Sequence, residues 1–365
     1  MTYERENIQR MAGYQPGEQP DDDRVLKLNT NENPWPPSPA AMAALQQIAE
    51  DALRRYPSPT AAAVRHQAAR LHGVSTDQIV TTNGGDELLR LAMTTFVPPG
   101  APIGIAEPSY SLYPVLAAIH DSPIEAAELD AQWSLPDDFA ERMNAAGVPL
   151  TLIVNPHAPS GHLLPAARIS QLAAALDGVL LVDEAYVDFA PADHDVVGLI
   201  ARHDNLLVLR TLSKGYGLAG LRLGYGIGAP GLIAPIAEKT RDSYSVDAVA
   251  DAVGAAALAD QDHARSTWQA VCDARGRLTR ALEARGFTVP ESATNFCLAT
   301  RPPDSPLSAA AIKDGLKARG ILIRHFDTPR LADKIRISVG TPEQNDRLIT
   351  ALDEILAAAA DQPAG

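Results

Sequence analysis

The 365-residue sequence contains only two cysteines, Cys272 and Cys297. Two thiols cannot build a disulfide framework or a four-ligand zinc centre, and they suit a reducing compartment. Positive charge is also in deficit. With 31 Lys and Arg against 45 Asp and Glu, the formal net charge is −14. That balance argues against nucleic acid or an anionic membrane as the main partner, because both are held by clustered Lys and Arg. No apolar run approaches the roughly 18 residues that span a bilayer. The longest, Val253–Ala259 and Ile355–Ala360, read as Ala-rich helix. Charge arrives by Glu4 with no apolar stretch behind it, so no secretory signal is visible and a cytoplasmic location is expected. The nine histidines show neither an H-E-x-x-H pattern nor a cysteine pair nearby, so no metal site is expected. No G-x-S-x-G elbow marks an acyl-transfer serine. No G-x-x-x-x-G-K-[ST] loop accompanies Leu180–Glu184, so Asp183 is not explained as a nucleotide hydrolase's metal-binding residue.

Between about residues 60 and 230, short apolar runs alternate with amphipathic stretches. The runs predict strands at Gln78–Thr82, Pro102–Ala106, Ile124–Glu128, Leu150–Val154, Val179–Val182, Leu206–Leu209 and Leu223–Ile227. The stretches between them predict helices at Thr60–Leu71, Asp86–Phe96, Ser111–Ile119, Asp137–Ala146 and Pro165–Leu176. Runs such as Leu150–Val154 lack polar alternation, as strands buried on both faces of a largely parallel sheet do. An α/β domain follows. Earlier, a Pro-rich connector (Asn33–Pro39) leads into a helical run at Ala40–Arg55. Past Pro230 the texture turns helical over Asp247–Arg285. Strand-like segments follow at Asn295–Ala299, Ile321–His325 and Lys334–Val339, with helices at Ser308–Arg319 and Pro342–Ala359. The division expected is an arm of residues 1–30, a large domain of 31–255 and a smaller α+β domain of 256–365.

Ligands of such sheets bind beyond the carboxyl ends of the strands, and polar residues collect there. Asn83–Glu87 forms a glycine turn at a helix start, suited either to phosphate or simply to a tight turn with acids at the helix dipole. Gly215–Gly220 matches G-x-G-x-x-G, which raises a nicotinamide-dependent oxidoreductase as an alternative. That fingerprint should follow a strand directly and open a helix, and here five residues, Lys214 among them, intervene. Lys214 itself follows a strand end. A lysine held among apolar residues at a sheet edge can lose its proton and attack a carbonyl. With Asp183 to hold a pyridinium nitrogen, Tyr110 to stack, and the glycine turn and Arg222 for an anion, these residues meet the requirements of pyridoxal phosphate.

Taken in order, Asn31–Pro34, Arg55–Pro57, Gly84–Glu87, Pro108–Tyr113, Asn155–Gly161, Val182–Phe189, Thr211–Arg222 and Ile335–Thr341 resemble the fold-type I pyridoxal-phosphate aminotransferases over nearly the whole chain. The Asn-Glu-Asn-Pro and Arg-Tyr-Pro steps resemble the histidinol-phosphate branch of that family. The resemblance implies a mostly parallel seven-stranded sheet in the large domain and a smaller α+β C-terminal domain. It implies Lys214 as the residue bonded to the cofactor's aldehyde, Asp183 at the pyridine nitrogen, Tyr186 at the ring's 3-oxygen and Tyr110 stacked on the ring. Gly85, Asp86, Ser213 and Arg222 would hold the phosphate, and Tyr56 would reach the phosphate in a neighbouring subunit, which implies a homodimer with shared sites. Asn31, Arg324 and Arg336 would bind substrate. The implied reaction converts L-histidinol phosphate and 2-oxoglutarate to imidazole-acetol phosphate and L-glutamate. The two arginines equally suit an aromatic amino acid, or threonine phosphate in a related decarboxylase.

Two positions depart from the family pattern. The loop commonly reads Asn-Pro-Asn-Asn-Pro-Thr-Gly, and the asparagine before the second proline bonds the 3-oxygen. Here Ala158 stands in that place, so either Asn155 takes over the contact or Tyr186 makes it alone. Lys214-Gly215-Tyr216 also replaces a more usual Lys-Ala-Phe.

Overall fold

The computed structural model describes residues 3–360. Among the described residues there are twelve strands, β1 to β12 in chain order. Strand β1 is the short Leu26–Lys27. The large sheet is built from β2 (Ile79–Thr82), β3 (Ile103–Glu107), β4 (Ile124–Glu128), β5 (Leu150–Val154), β6 (Val179–Asp183), β7 (Leu206–Thr211) and β8 (Gly224–Gly228). Its order is β2-β8-β7-β6-β5-β3-β4. Only β8 runs against its neighbours; the other pairs are parallel. All seven predicted strands are present, with ends moved by a residue or two.

Side-chain alternation explains why these strands lack polar residues. Leu180 and Val182 of β6 enter one apolar core, while Leu181 enters another on the opposite face. Leu206 and Val208 of β7 join the first core, and Leu207 and Leu209 the second. A strand covered by helices on both faces buries every side chain, so period-two polarity disappears. One core receives Val64 and Ala68 from the helix Ala62–His72, and Val253 and Ala257 from Ala248–Ala259. The other receives Leu88, Leu89 and Met93 from Gly84–Phe96.

The C-terminal part holds a three-stranded antiparallel sheet with β12 (Lys334–Ser338) between β9 (Phe296–Thr300) and β11 (Arg324–His325). The helices Ala309–Ala318 and Pro342–Ala360 accompany it. The N-terminal residues divide between the two parts. The turn of helix Glu6–Gln9 lies on the large part, with Asn7 Nδ2 donating to Ala118 O at 2.8 Å. Strand β1 instead pairs in parallel with β10 (Ile321–Leu322), and Leu26 and Leu28 enter the C-terminal core.

Three predicted elements are broken. The run Ala40–Arg55 forms two helices, Pro39–Gln46 and Glu50–Arg54, parted by an extended Ala49. The second of these buries no residue, so no apolar face holds it in line with the first. The helical run Asp247–Arg285 breaks at Asp260, whose carboxylate caps His263 N of the new helix at 3.4 Å. The strand expected at Ile321–His325 divides into β10 and β11 because its halves pair in different sheets.

The helix after that break, Gln261–Glu283, is 23 residues long and serves both parts. Val271 and Ala274 enter the large part's core, whereas Leu278 and Leu282 enter the C-terminal one. Among the described residues, no helix is long and apolar enough to cross a membrane.

Candidate active site

A cleft of about 300 Å³ opens where the carboxyl ends of β5, β6 and β7 face the C-terminal sheet. It is lined by Asn31, Gly85, Asp86, Tyr110, Asp183, Tyr186, Ser213, Lys214, Arg222, Arg324 and Arg336, eleven of the thirteen residues singled out in the sequence. Tyr56 and Asn155 lie outside it.

The floor is polar and buried. Asp183 ends β6 and is buried. One carboxylate oxygen accepts from Ala185 N at 3.1 Å, the other from the Tyr113 hydroxyl at 3.2 Å. Burial pushes its pKa up to about 7, although both hydrogen bonds act to lower it. A carboxylate so placed favours a cationic partner in the cleft. Beside it Glu184 points the other way along the strand and pairs with Arg210 at 2.7 Å. Arg210 lies 3.7 Å from Asp188 as well. This ion cluster ties the turn after β6 to β7 beneath the cleft.

Lys214 follows β7. Its Nζ donates to Thr30 O at 3.0 Å and lies 5.9 Å from the centre of the Tyr186 ring. Burial first, and the Arg336 charge second, lower its pKa to about 8. Near neutral pH a useful fraction of this amine is unprotonated and nucleophilic. Tyr186 is buried edge-on against Phe296, and its hydroxyl oxygen accepts from Asn31 Nδ2 at 3.0 Å. Asn31 is held in turn: its backbone N–H donates to Ser338 Oγ at 2.8 Å, and Asn295 Nδ2 donates to its carbonyl at 2.9 Å.

One end of the cleft is shaped for an anion. The helix Gly84–Phe96 begins at the end of β2, and its first-turn N–H groups have no intrahelical partner. Arg222 Nη2 lies 3.3 Å from Asp86 Oδ2. A Cβ on Gly224 would come within 2.9 Å of Gly85 N, so β8 approaches this turn closely only because residue 224 is glycine. Ser213 lies close by, buried and bonded to the Thr211 hydroxyl at 3.0 Å. Tyr110 stands over the middle of the cleft with its hydroxyl 3.3 Å from Asp86 Oδ1, and burial raises its pKa.

The opposite wall carries two more cations. Arg324 of β11 and Arg336 of β12 sit directly across from one another in the antiparallel register. Like charges in that position repel. Arg336 is half-buried, with Nη2 on Asn29 O at 3.2 Å, and its buried Nε has no hydrogen-bond partner. Both guanidinium groups pack on Phe326, 5.3 Å from its centre. An arginine with an open, buried N–H and a cationic neighbour is a ready anion site.

The placement of Asn155 bears on the alternative that the sequence leaves open. Its amide donates to Leu164 O at 3.1 Å and its Oδ1 accepts from Leu164 N at 2.8 Å. The side chain is therefore spent on closing its own loop, and Ala158 and Pro159 are the residues of that loop on the cleft. Tyr56 is 83% exposed and stacks on Tyr244 with ring centres 4.6 Å apart, so it serves no site in its own chain. Sequence reasoning passed over Tyr113, Thr30 and Phe326. Tyr113 had a signal, since it lies one helical turn after Tyr110 in the same block. Thr30 acts through its carbonyl and had none. Gly215–Gly220 starts beyond β7 and runs into the short 3₁₀ turn Ala219–Leu221, not into an α-helix directly after a strand, so the dinucleotide fingerprint lacks its structural context. Among the described residues, no group of three or more His, Cys, Asp or Glu side chains is placed to hold a metal.

The model of the family described as aminotransferase class I and II matches residues 23–352. Histidinol-phosphate aminotransferase 1 of Trichormus variabilis is 43% identical over 356 residues, covering 97% of this chain and 99% of that protein. The histidinol-phosphate aminotransferase of Pseudomonas putida is 40% identical over 348 residues, covering 94% of this chain and 97% of its own. The crystal structure of histidinol-phosphate aminotransferase from Sinorhizobium meliloti in complex with pyridoxal-5′-phosphate superimposes with a TM-score of 0.90 at 28% identity, covering 98% of each chain. The mostly parallel seven-stranded sheet is the fold-type I architecture anticipated from the motifs. Sequence and shape agree from one end of the described chain to the other, and the protein belongs to the class I and II aminotransferases.

Proposed function

We propose that this protein is a pyridoxal-phosphate-dependent transaminase that converts L-histidinol phosphate and 2-oxoglutarate to imidazole-acetol phosphate and L-glutamate. The observation that carries the reading is the cross-strand pair of Arg324 and Arg336, one with an open buried N–H, facing the buried Lys214 amine across one cleft. Each substrate has an anionic group for those arginines. The named relatives, at 40–43% identity over nearly their full lengths, support the same substrates.

The chain's own residues suit the cofactor. Asp183 is a buried carboxylate in need of a cation. Arg222, Ser213 and the N-terminal turn at Gly85 and Asp86 gather phosphate-binding groups at one end. Tyr110 offers a ring face, and Tyr186 with its Asn31 donor addresses the 3-oxygen without help from Asn155. When bound, the cofactor supplies an electron sink for the charge left on the substrate's α-carbon.

The protein supplies the rest. Asp183 would hold a proton at the cofactor's pyridine nitrogen, which would keep that sink strong. Lys214 would anchor the cofactor before substrate arrives, and its Nζ, once free, would be the base that moves the substrate's α-proton. A lowered pKa suits both directions of that transfer. Arg336 and Arg324 orient the substrate by bidentate hydrogen bonds. Burial of Asp183 and Tyr186, with Lys214 half-buried beside them, limits bulk water on the proton's path.

The exposed Tyr56 fits a homodimer in which that phenol reaches the partner's phosphate site. The chain divides, in this reading, into an arm of residues 1–30, a large cofactor-binding unit of 31–255 and a small unit of 256–365. A cytoplasmic location accords with the expected chemistry.

The deciding experiment is a half-reaction titration. The cofactor-loaded protein is mixed in turn with histidinol phosphate, phenylalanine and threonine phosphate, and the cofactor's spectrum is followed. Conversion of the lysine-bound band at the lowest concentration of histidinol phosphate is expected. Preference for phenylalanine would overturn the substrate. Carbon dioxide release from threonine phosphate would overturn the reaction.

A further inference from the structure

The motif Asn31-Glu-Asn-Pro34 is only partly explained by Asn31. Its neighbours touch the same machinery. Thr30 O receives the Lys214 amine, Asn31 donates to the Tyr186 hydroxyl, and Asn33 Nδ2 donates to Gly215 O at 3.0 Å. That carbonyl belongs to the residue directly after Lys214. It has a second donor: Trp268 Nε1, on the long helix Gln261–Glu283, lies 2.9 Å away. Both lone-pair directions of one carbonyl oxygen are thus taken by side chains from segments far apart in sequence.

Gly215 is where such a hold is needed. Glycine has the largest backbone freedom to lose on folding, so the link next to Lys214 is intrinsically the loosest in its strand-to-turn segment. Yet the position excludes a larger residue, because a Cβ there would overlap the Asp188 carboxylate. Asp188 is buried and lies 3.7 Å from Arg210. The peptide is therefore confined by packing on one side and by two N–H donors on the other. Tyr216 strengthens the arrangement. Its ring meets Trp268 edge-on at 5.5 Å, and its hydroxyl accepts from Gln261 Nε2 at 3.0 Å. The substitution of Gly-Tyr for the more usual Ala-Phe thus comes with its own supports.

We propose that Trp268 and Asn33 are positioning residues for Lys214, acting through the shared Gly215 carbonyl. Neither touches the cofactor or the reacting atoms. They fix the peptide from which the lysine side chain projects, so that Nζ swings between its bonded and free positions without displacement of its backbone. The inference rests on the assignment of Lys214 as the cofactor-bound lysine, and its test separates the two.

The test uses the cofactor-loaded protein and two variants. Trp268→Phe keeps a ring against Tyr216 and removes the N–H. Asn33→Leu keeps roughly the shape and adds no charge beside Lys214, while removing the donor together with the Oδ1 acceptor that Trp35 N uses at 3.0 Å. Each is expected to move the apparent pKa of the lysine-bound absorbance band by roughly half a unit, the equivalent of one net hydrogen bond. Each should also slow the half-reaction about tenfold with less than about a twofold change in the apparent KM for the amino substrate. The double variant should be less than additive, because the two donors share one acceptor. A purely structural role would lower the melting temperature and leave the titration and the kcat-against-KM split unmoved, and that result overturns the proposal. If Trp268→Phe fails to fold, Asn33→Leu alone decides by the same readouts. Absence of any lysine-bound band in the wild-type protein would instead sink the assignment of Lys214.

Discussion

Replacing Asp183 with Asn in the cofactor-free protein is expected to stabilise it above neutral pH. An aspartate in an unfolded chain titrates near 3.9. In the fold, burial pushes Asp183 up to about 7. Between those values the folded state holds a proton that the unfolded state has released. Stability therefore falls as pH rises through that window, and the full penalty is present above it. A displacement of about three units corresponds to a penalty on the order of 4 kcal/mol. The amide avoids it while keeping acceptor capacity for the Ala185 N–H and a polar group for the Tyr113 hydroxyl. Urea denaturation of both proteins without cofactor, from pH 5 to 8.5, reads the difference, and subtraction cancels every other titrating group. The advantage of Asp183→Asn should grow steadily from pH 5 to about 7 and then level off. Added pyridoxal phosphate should reverse the order, because the wild-type carboxylate then gains its cation. A difference independent of pH would refute the electrostatic account of the cleft floor. A variant less stable than wild type at pH 8 without cofactor would do the same.

Lys214→Ala should lose the lysine-bound absorbance band and slow transamination by about a thousandfold or more, since both covalent anchoring and proton transfer depend on one amine. Arg336→Gln should raise the KM for histidinol phosphate roughly tenfold to a hundredfold, the range for a charged hydrogen bond, with the cofactor spectrum unchanged. Arg210→Met should destabilise the fold by about 3–5 kcal/mol in chemical denaturation, because Glu184 and Asp188 are left buried without their cation. Tyr56→Ala should weaken cofactor retention on dialysis. Mixing it with Lys214→Ala should restore part of the activity through hybrid dimers, and sedimentation should give twice the chain mass.

The sheet was legible because a doubly covered strand leaves an unmistakable trace: Leu150–Val154 and Val179–Val182 carry no charge, and each ends at a polar residue. Lys214, Asp183 and Arg222 were legible for the same reason, as reactive groups placed at strand ends. What escaped depends on partners distant in sequence. The division of Ile321–His325 was invisible because each half is a plausible strand and only the identity of the partner strand separates them. The inward placement of Asn155 depended on Leu164, whose backbone groups carry no sequence mark. The cross-strand opposition of Arg324 and Arg336 needed a register, which spacing alone does not supply. Thr30 contributes a carbonyl that any residue could offer.

The long helix Gln261–Glu283 has a consequence for how this protein comes apart. At 1.5 Å per residue its 23 residues extend about 35 Å. Ala264, Val271 and Ala274 are walls of the larger cores, while Leu278 and Leu282 are walls of the smaller one. Neither lobe can lose its structure without stripping a wall from the other, and β1 crosses back from the N-terminus to seal the smaller one. The two lobes are separable on paper but not in a test tube: expressed apart, each would present to solvent the apolar face that the shared helix covers. Heating or denaturant should therefore take the molecule down in a single cooperative step. Proteolysis near residue 260 should destroy both halves rather than release one intact.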